Sequence, residues 1–133
     1  MTFKKTAASP LEIELQQIAS NYGFSPKVLS VNGLFFEMED LAAPCLADKY
    51  GDKIDDIPQS IWDEIVHILV ILYEVEGIEY IDITPYNFIE CDGKVWIIDF
   101  GHAFYTTDDK KPMNWFLRDL LDTQEKAWNP DFA

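Results

Sequence analysis

Two dipeptides, Asn32-Gly33 and Asp92-Gly93, limit what this chain can fold into more than any other feature. Each lies between short runs of β-branched and aromatic residues. Such pairs supply the positive φ angles that a two-residue hairpin turn demands, so each run must pair with its neighbour in a fixed register. Residues 27–31 are expected to pair with 34–38 through a type I′ turn at Asn32-Gly33. Phe88-Ile89-Glu90 is expected to pair with Val95-Trp96-Ile97-Ile98. A two-residue turn at Asp92-Gly93 couples residues whose numbers sum to 185. That register sets Asn87 opposite Ile98, beside Asp99, at the open end of the hairpin.

Helical signals fill the space between. Ser9-Pro10-Leu11-Glu12 offers an N-cap serine, a proline at the first helical position and a glutamate that closes a capping box. Leu11, Leu15, Ile18, Ala19 and Tyr22 then recur at helical spacing, with Gly23 as terminator. A second long helix is marked by Ile61, Trp62, Ile65, Leu69 and Leu72 and stops at Gly77. Thr2 to Lys5 reads as a short strand, residues 44–50 as a short helix, and Trp115 to Leu121 as a last amphipathic helix. Two hairpins and about three helices without strict βαβ alternation predict an α+β fold, and 133 residues suit one domain.

The charge of −14, from 24 acidic and 10 basic residues, opposes binding to nucleic acid, which needs clustered cations. It also requires that a nucleotide arrive with a divalent cation. Cys45 and Cys91 form no CxxC pair, and the most apolar stretch is too short for a membrane span, so a soluble cytoplasmic protein without membrane contact is expected.

The chemistry concentrates in residues 81–101, IDITPYNFIECDGKVWIIDFG. The hairpin gathers the amide oxygen of Asn87 and the carboxylate of Asp99, with Asp82 nearby. Hard oxygen ligands of this kind suit magnesium, which also takes phosphate oxygens and water. Asp82-x-x-x-x-Asn87 followed by Asp99-Phe100-Gly101 resembles the catalytic loop and metal-binding triplet of the protein-kinase-like superfamily. The His-Arg that usually precedes the aspartate is here Tyr80-Ile81, and Thr84 brings the loop closer to the RIO and aminoglycoside-phosphotransferase branches.

The resemblance implies an ATP-binding, magnesium-dependent phosphotransferase in which Asp82 is the base and Asn87 and Asp99 hold the metal. It implies a phosphate-contacting lysine at Lys4, with Lys5 as the competing choice. Its ion-pair partner would be Glu14, since the capping box already occupies Glu12. The hinge that meets adenine would be Met38-Glu39-Asp40-Leu41. On this template residues 1–40 form a reduced N-terminal lobe and 41–133 a truncated C-terminal lobe. No G-x-G-x-x-G occurs, so strands carrying a phosphate loop would precede residue 1. Residues 102–133 are too few for the peptide-binding helices of protein kinases. A competing expectation is a pseudokinase, acting through a protein partner or self-association without catalysis; the compact form suits a viral or phage-encoded protein. Trp96 and Trp115 are expected as core aromatics, and His67 and His102 as structural residues.

Overall fold

A computed structural model describes residues 2–132. Among them the chain runs β1 (Thr2–Thr6), α1 (Pro10–Asn21), β2 (Val28–Asn32), β3 (Phe35–Glu39) and α2 (Leu46–Tyr50). A 3₁₀ turn (Ile54–Asp56) leads to α3 (Gln59–Glu74). Then follow β4 (Ile78–Glu79), β5 (Phe88–Cys91), β6 (Lys94–Ile97), β7 (Phe104–Tyr105) and α4 (Trp115–Thr123). The strands form an antiparallel sheet in the order β1-β3-β2 and two separate ribbons, β5-β6 and β4-β7. The architecture is a mixed α and β one, as expected. No helix among the described residues is long and apolar enough to cross a membrane.

The second hairpin has the expected register, from Phe88↔Ile97 to Cys91↔Lys94. Asp92 and Gly93 both take positive φ, 55° and 76°, as a type I′ turn requires. The first hairpin differs. Asn32 pairs with Phe35, and the turn residues are Gly33 and Leu34, with Gly33 alone at positive φ in the glycine-first pattern of a type II′ turn. A turn at Asn32-Gly33 would have set Lys27 opposite Met38. The observed register, with an irregularity between Val28 and Ser30, brings Val28 opposite Met38 and Val31 opposite Phe36. Phe36 would have an apolar partner in either register, Leu29 or Val31, whereas buried Met38 gains Val28 in place of Lys27, and that exchange opposes the local preference of Asn-Gly.

The main core surrounds α3, whose Trp62, Ile65, Leu69 and Leu72 are buried with Tyr80, Phe88, Ile97, Phe100 and Leu117. A smaller core of Ala7, Ile13, Phe36 and Met38 lies between α1 and the three-stranded sheet. The segment after α1 joins the two layers. Ile97 N–H donates to the Phe24 carbonyl at 2.7 Å, and Ser25 Oγ donates to the Ile97 carbonyl at 2.7 Å. The sheet and α1 are thereby seated on β6, next to the hairpin's open end.

After Gly101 the chain returns to the core. Buried Glu79 accepts from the amides of Met113 and Asn114, at 2.7 and 2.9 Å, and fixes the start of α4. Asn114 caps that helix by accepting from Phe116 and Leu117. Gln124, at a φ of 57°, ends it and turns the chain back. Trp128 then packs edge-on against Trp62 and stacks on Phe88. Trp115, expected in the core, is 45% exposed and donates its indole N–H to Asp131. Trp96 is half-buried beneath the Lys94 ammonium. The helical stripe of α4 is carried by Phe116, Leu117 and Leu120, one position out of phase with Trp115.

Glu79→Ala would strand two amides in the core. Each such loss costs about 1–3 kcal/mol, so chemical denaturation should show a stability loss of roughly 2–5 kcal/mol.

Candidate active site

The site is built on strand alternation. On β1, Phe3 and Lys5 lie opposite Met38 and Phe36, whereas Lys4 lies opposite Glu37 on the outer face of the sheet. Since Phe36 and Met38 face α1, Lys5 does as well. Its ammonium lies 2.6 Å from Glu12 Oε2 and 3.3 Å from Asp99 Oδ1. The expected Lys4–Glu14 approach is therefore corrected to Lys5–Glu12. The inward face of the sheet and the face toward the cleft are one and the same, so a strand with Phe3 inward must bring Lys5 to the site. Lys4 is exposed, and Glu14 instead accepts the Tyr105 hydroxyl proton at 2.5 Å, tying α1 to β7 and pushing the Tyr105 phenol up to about 12.

Glu12 serves two partners at once. Its Oε1 accepts from the Ala8 amide at 2.8 Å while Oε2 meets Lys5, and the residue is 2% exposed. Ser9 makes no side-chain cap bond. The glutamate thus reaches back past the N-cap to Ala8, and capping does not exclude it from the ion pair.

Asn87 is held by its backbone in the expected hairpin position, its carbonyl accepting from Ile98 N–H at 3.0 Å. Its Nδ2 donates to the Asp82 carbonyl at 2.9 Å, which orients the amide and leaves Oδ1 as the free oxygen. Asp99 takes a left-handed φ of 63°, a conformation that non-glycine residues hold only against a cost. Tyr80 supports it from below. The Tyr80 hydroxyl donates to the Ile98 carbonyl at 2.6 Å, and its ring packs edge-on against Phe100 with centroids 5.2 Å apart. Both neighbours of Asp99 are so gripped by one buried side chain. Burial, and then the charges of Asp82 and Asp99, push the Tyr80 phenol well above its ordinary range.

Lys5, Asn87 and Asp99 line one cleft of about 350 Å³ together with Phe3, Met38 and Ile89. Glu39, Asp40 and Leu41 form its rim. The two rim carboxylates turn to local amides: Glu39 accepts from Lys27 N–H and Asp40 from Ala42 N–H, each at 2.9 Å. Each carboxylate uses one oxygen in this way, so the rim presents main-chain groups and the second carboxylate oxygens to the cleft. Asp82 stands beside this cluster. Partial burial, and next the charge of Asp99, raise its carboxyl above the usual range, while His102, Asn87 and Lys5 oppose the shift.

The donor set fits magnesium. Lys5 is shared between two carboxylates, so Asp82 and Asp99 leave an excess of negative charge at the cleft floor. Among the described residues no three His, Cys, Asp or Glu side chains form a metal cage. A cation here would rely on Asn87, Asp99, ligand phosphate and water, the mixed oxygen shell that magnesium accepts.

The sequence model of the RIO domain matches residues 14–123. The chain belongs to the RIO domain family. It is thereby a member of the protein-kinase-like superfamily, whose general character is ATP binding. No curated protein matches the chain. The span that matches the RIO domain contains Asp82, Asn87 and Asp99, and Lys5 and Glu12 lie just before it.

A raised carboxyl in the folded state favours the protonated form, so Asp82 contributes stability below its unfolded value, near 3.8, that is lost as pH rises through the folded value. Asp82→Asn should therefore raise the melting temperature at pH 7. The gain should shrink as pH falls through the carboxylate range, measured by thermal melts from pH 7 to pH 3.

Proposed function

We propose that the protein is a magnesium-dependent phosphotransferase that moves the γ-phosphoryl group of ATP to a hydroxyl acceptor. The observation that carries this reading is Lys5, bridged between buried Glu12 and Asp99 in a cleft that also holds Asn87. A lysine so placed is oriented by one carboxylate and left with donors for a phosphate beside the other. On this reading a reduced N-terminal lobe, 1–40, would supply the lysine and most of the rim, and a truncated C-terminal lobe, 41–133, would supply Leu41, the loop and the hairpin. Adenine would enter between Phe3, Met38 and Ile89 and meet the main chain of Glu39 to Leu41.

Magnesium, when bound, would neutralise phosphate charge that the acidic chain otherwise repels. Asn87 and Asp99 would hold it. Asp82 would take the proton from the acceptor hydroxyl as that oxygen bonds to the γ-phosphorus and the β–γ bridging oxygen departs with ADP. A carboxylate raised above its ordinary range is the better base for that task. Catalysis would be mostly positioning and electrostatics.

The test measures magnesium-dependent ATP binding and turnover together. Magnesium–ATP at 100 times its dissociation constant should stabilise the wild type by roughly 2.7 kcal/mol. Asp99→Asn should lower metal-dependent affinity by about 10–100-fold. Asp82→Asn should retain binding and lose about 10²–10⁴-fold in turnover. Lys5→Met should lose turnover while Lys4→Met keeps it. Binding with no turnover in the wild type would establish a pseudokinase, a nucleotide-binding module that acts through a partner. No binding at millimolar magnesium–ATP would overturn the nucleotide reading.

A further inference from the structure

Three successive carbonyls of the loop that carries Asp82 are captured, and two asparagines do most of it. The Ile81 carbonyl accepts from Asn129 Nδ2 at 2.8 Å, and the Ile83 carbonyl accepts from the backbone N–H of the same Asn129 at 2.9 Å. Between them the Asp82 carbonyl accepts from Asn87 Nδ2. Asn129 belongs to none of the strands or helices and is separated from Ile81 by 48 positions, yet it is wholly buried. Its Oδ1 is used as well, accepting from Asp131 N–H at 3.0 Å. The flanking residues fix it from both sides. Trp128 is wedged against Trp62 and Phe88, and Phe132 lies against the His102 ring with centroids 5.0 Å apart.

We propose that Asn129 is a positioning residue for Asp82: by holding the Ile81 and Ile83 carbonyls, it fixes the peptide that enters Asp82 and the one that leaves Ile83, and so the loop that aims the carboxylate. The loop 81–84 has only tight internal bonds of its own, from Ile83 N–H to Ile81 and from Thr84 N–H to Asp82. Such a loop has alternative arrangements at similar energy unless outside partners choose one. Asn87 chooses at the middle carbonyl from the side of the cleft. Asn129 chooses at the outer two and is not among the residues that line the cleft. Loss of its side-chain donor should leave nucleotide and metal contacts intact and misplace the base.

This inference rests on the phosphotransferase reading, so its test carries one arm that needs no turnover. Asn129→Asp keeps the backbone donor to Ile83 and the acceptor for Asp131, and replaces the donor to Ile81 by a carboxylate oxygen. Asn129→Ala removes the side chain, and Lys126→Ala, which deletes a tail contact to the Ile57 carbonyl and none to the loop, is the control for simple loosening. In Asn129→Asp, amide exchange at Ile83 and Thr84 should accelerate about tenfold or more while α3 keeps its protection. Magnesium–ATP affinity should stay within about twofold, with kcat down roughly 10–100-fold. Lys126→Ala should leave kcat and loop exchange unchanged. If Asn129→Ala does not fold, Asn129→Asp decides. Unchanged exchange and unchanged kcat in a folded Asn129→Asp would overturn the proposal, as would a parallel loss of affinity and kcat with α3 protection falling too. A wild type that binds nucleotide without turnover would sink the enzyme reading alone, and the exchange arm would still decide whether Asn129 sets the loop.

Discussion

A buried carboxylate is tolerable only when its charge is met, and Glu12 imposes that demand on the run from Lys5 to the first turn of α1. The Lys5 ammonium meets its charge at Oε2, and the Ala8 amide donates to Oε1. Breaking a buried pair by removing one partner costs about 3–5 kcal/mol, because the other charge is left uncompensated. The direction of β1, the turn after it and the first turn of α1 are therefore set together. Lys5 in turn reaches Asp99 at the end of the second hairpin. The ion pair thus links the three-stranded sheet to the ribbon beneath it, and the cleft lies in the space this link defines.

Much of this was legible in the residues, and the reason is local. Asp92-Gly93 admits one turn geometry, so the hairpin register and the placement of Asn87 beside Asp99 followed from counting. The apolar stripes of α1 and α3 and the glycines that end them, Gly23 and Gly77, were equally direct, whereas the capping box did not form because Ser9 makes no side-chain cap bond. Lys4 against Lys5 was not, because alternation states which residues share a face and is silent on which face meets the cleft. The dual use of Glu12 was hidden for a related reason. A capping motif identifies one partner of a carboxylate, and a carboxylate has room for more. At Asn32-Gly33 the local rule did not hold, and the observed register gives buried Met38 the apolar partner Val28 in place of Lys27.

Residues 102–132 were the least legible. β4 and β7 are two residues each, too short for any periodic signal, and they meet across a gap of more than twenty residues. Asn129 gave no signal at all, for a lone asparagine beside a proline reads as a turn. Its role is visible only when the carbonyls of residues 81–83 are asked where their hydrogen bonds go.

The same contact sets a clock for synthesis. Ile81 and Asn129 are 48 positions apart, and a ribosome adds about 5–20 residues per second. For roughly 2–10 s after Ile81 is made, the partner of its carbonyl does not yet exist, and the Trp128 ring that closes the core over Trp62 and Phe88 is missing as well. During that interval the nascent chain can form the ribbon and α3, with the apolar floor beneath the loop still open to solvent. Until Asn129 is made the loop 81–83 lacks the partner of its outer carbonyls, and Trp62 and Phe88 lack the ring that packs on them.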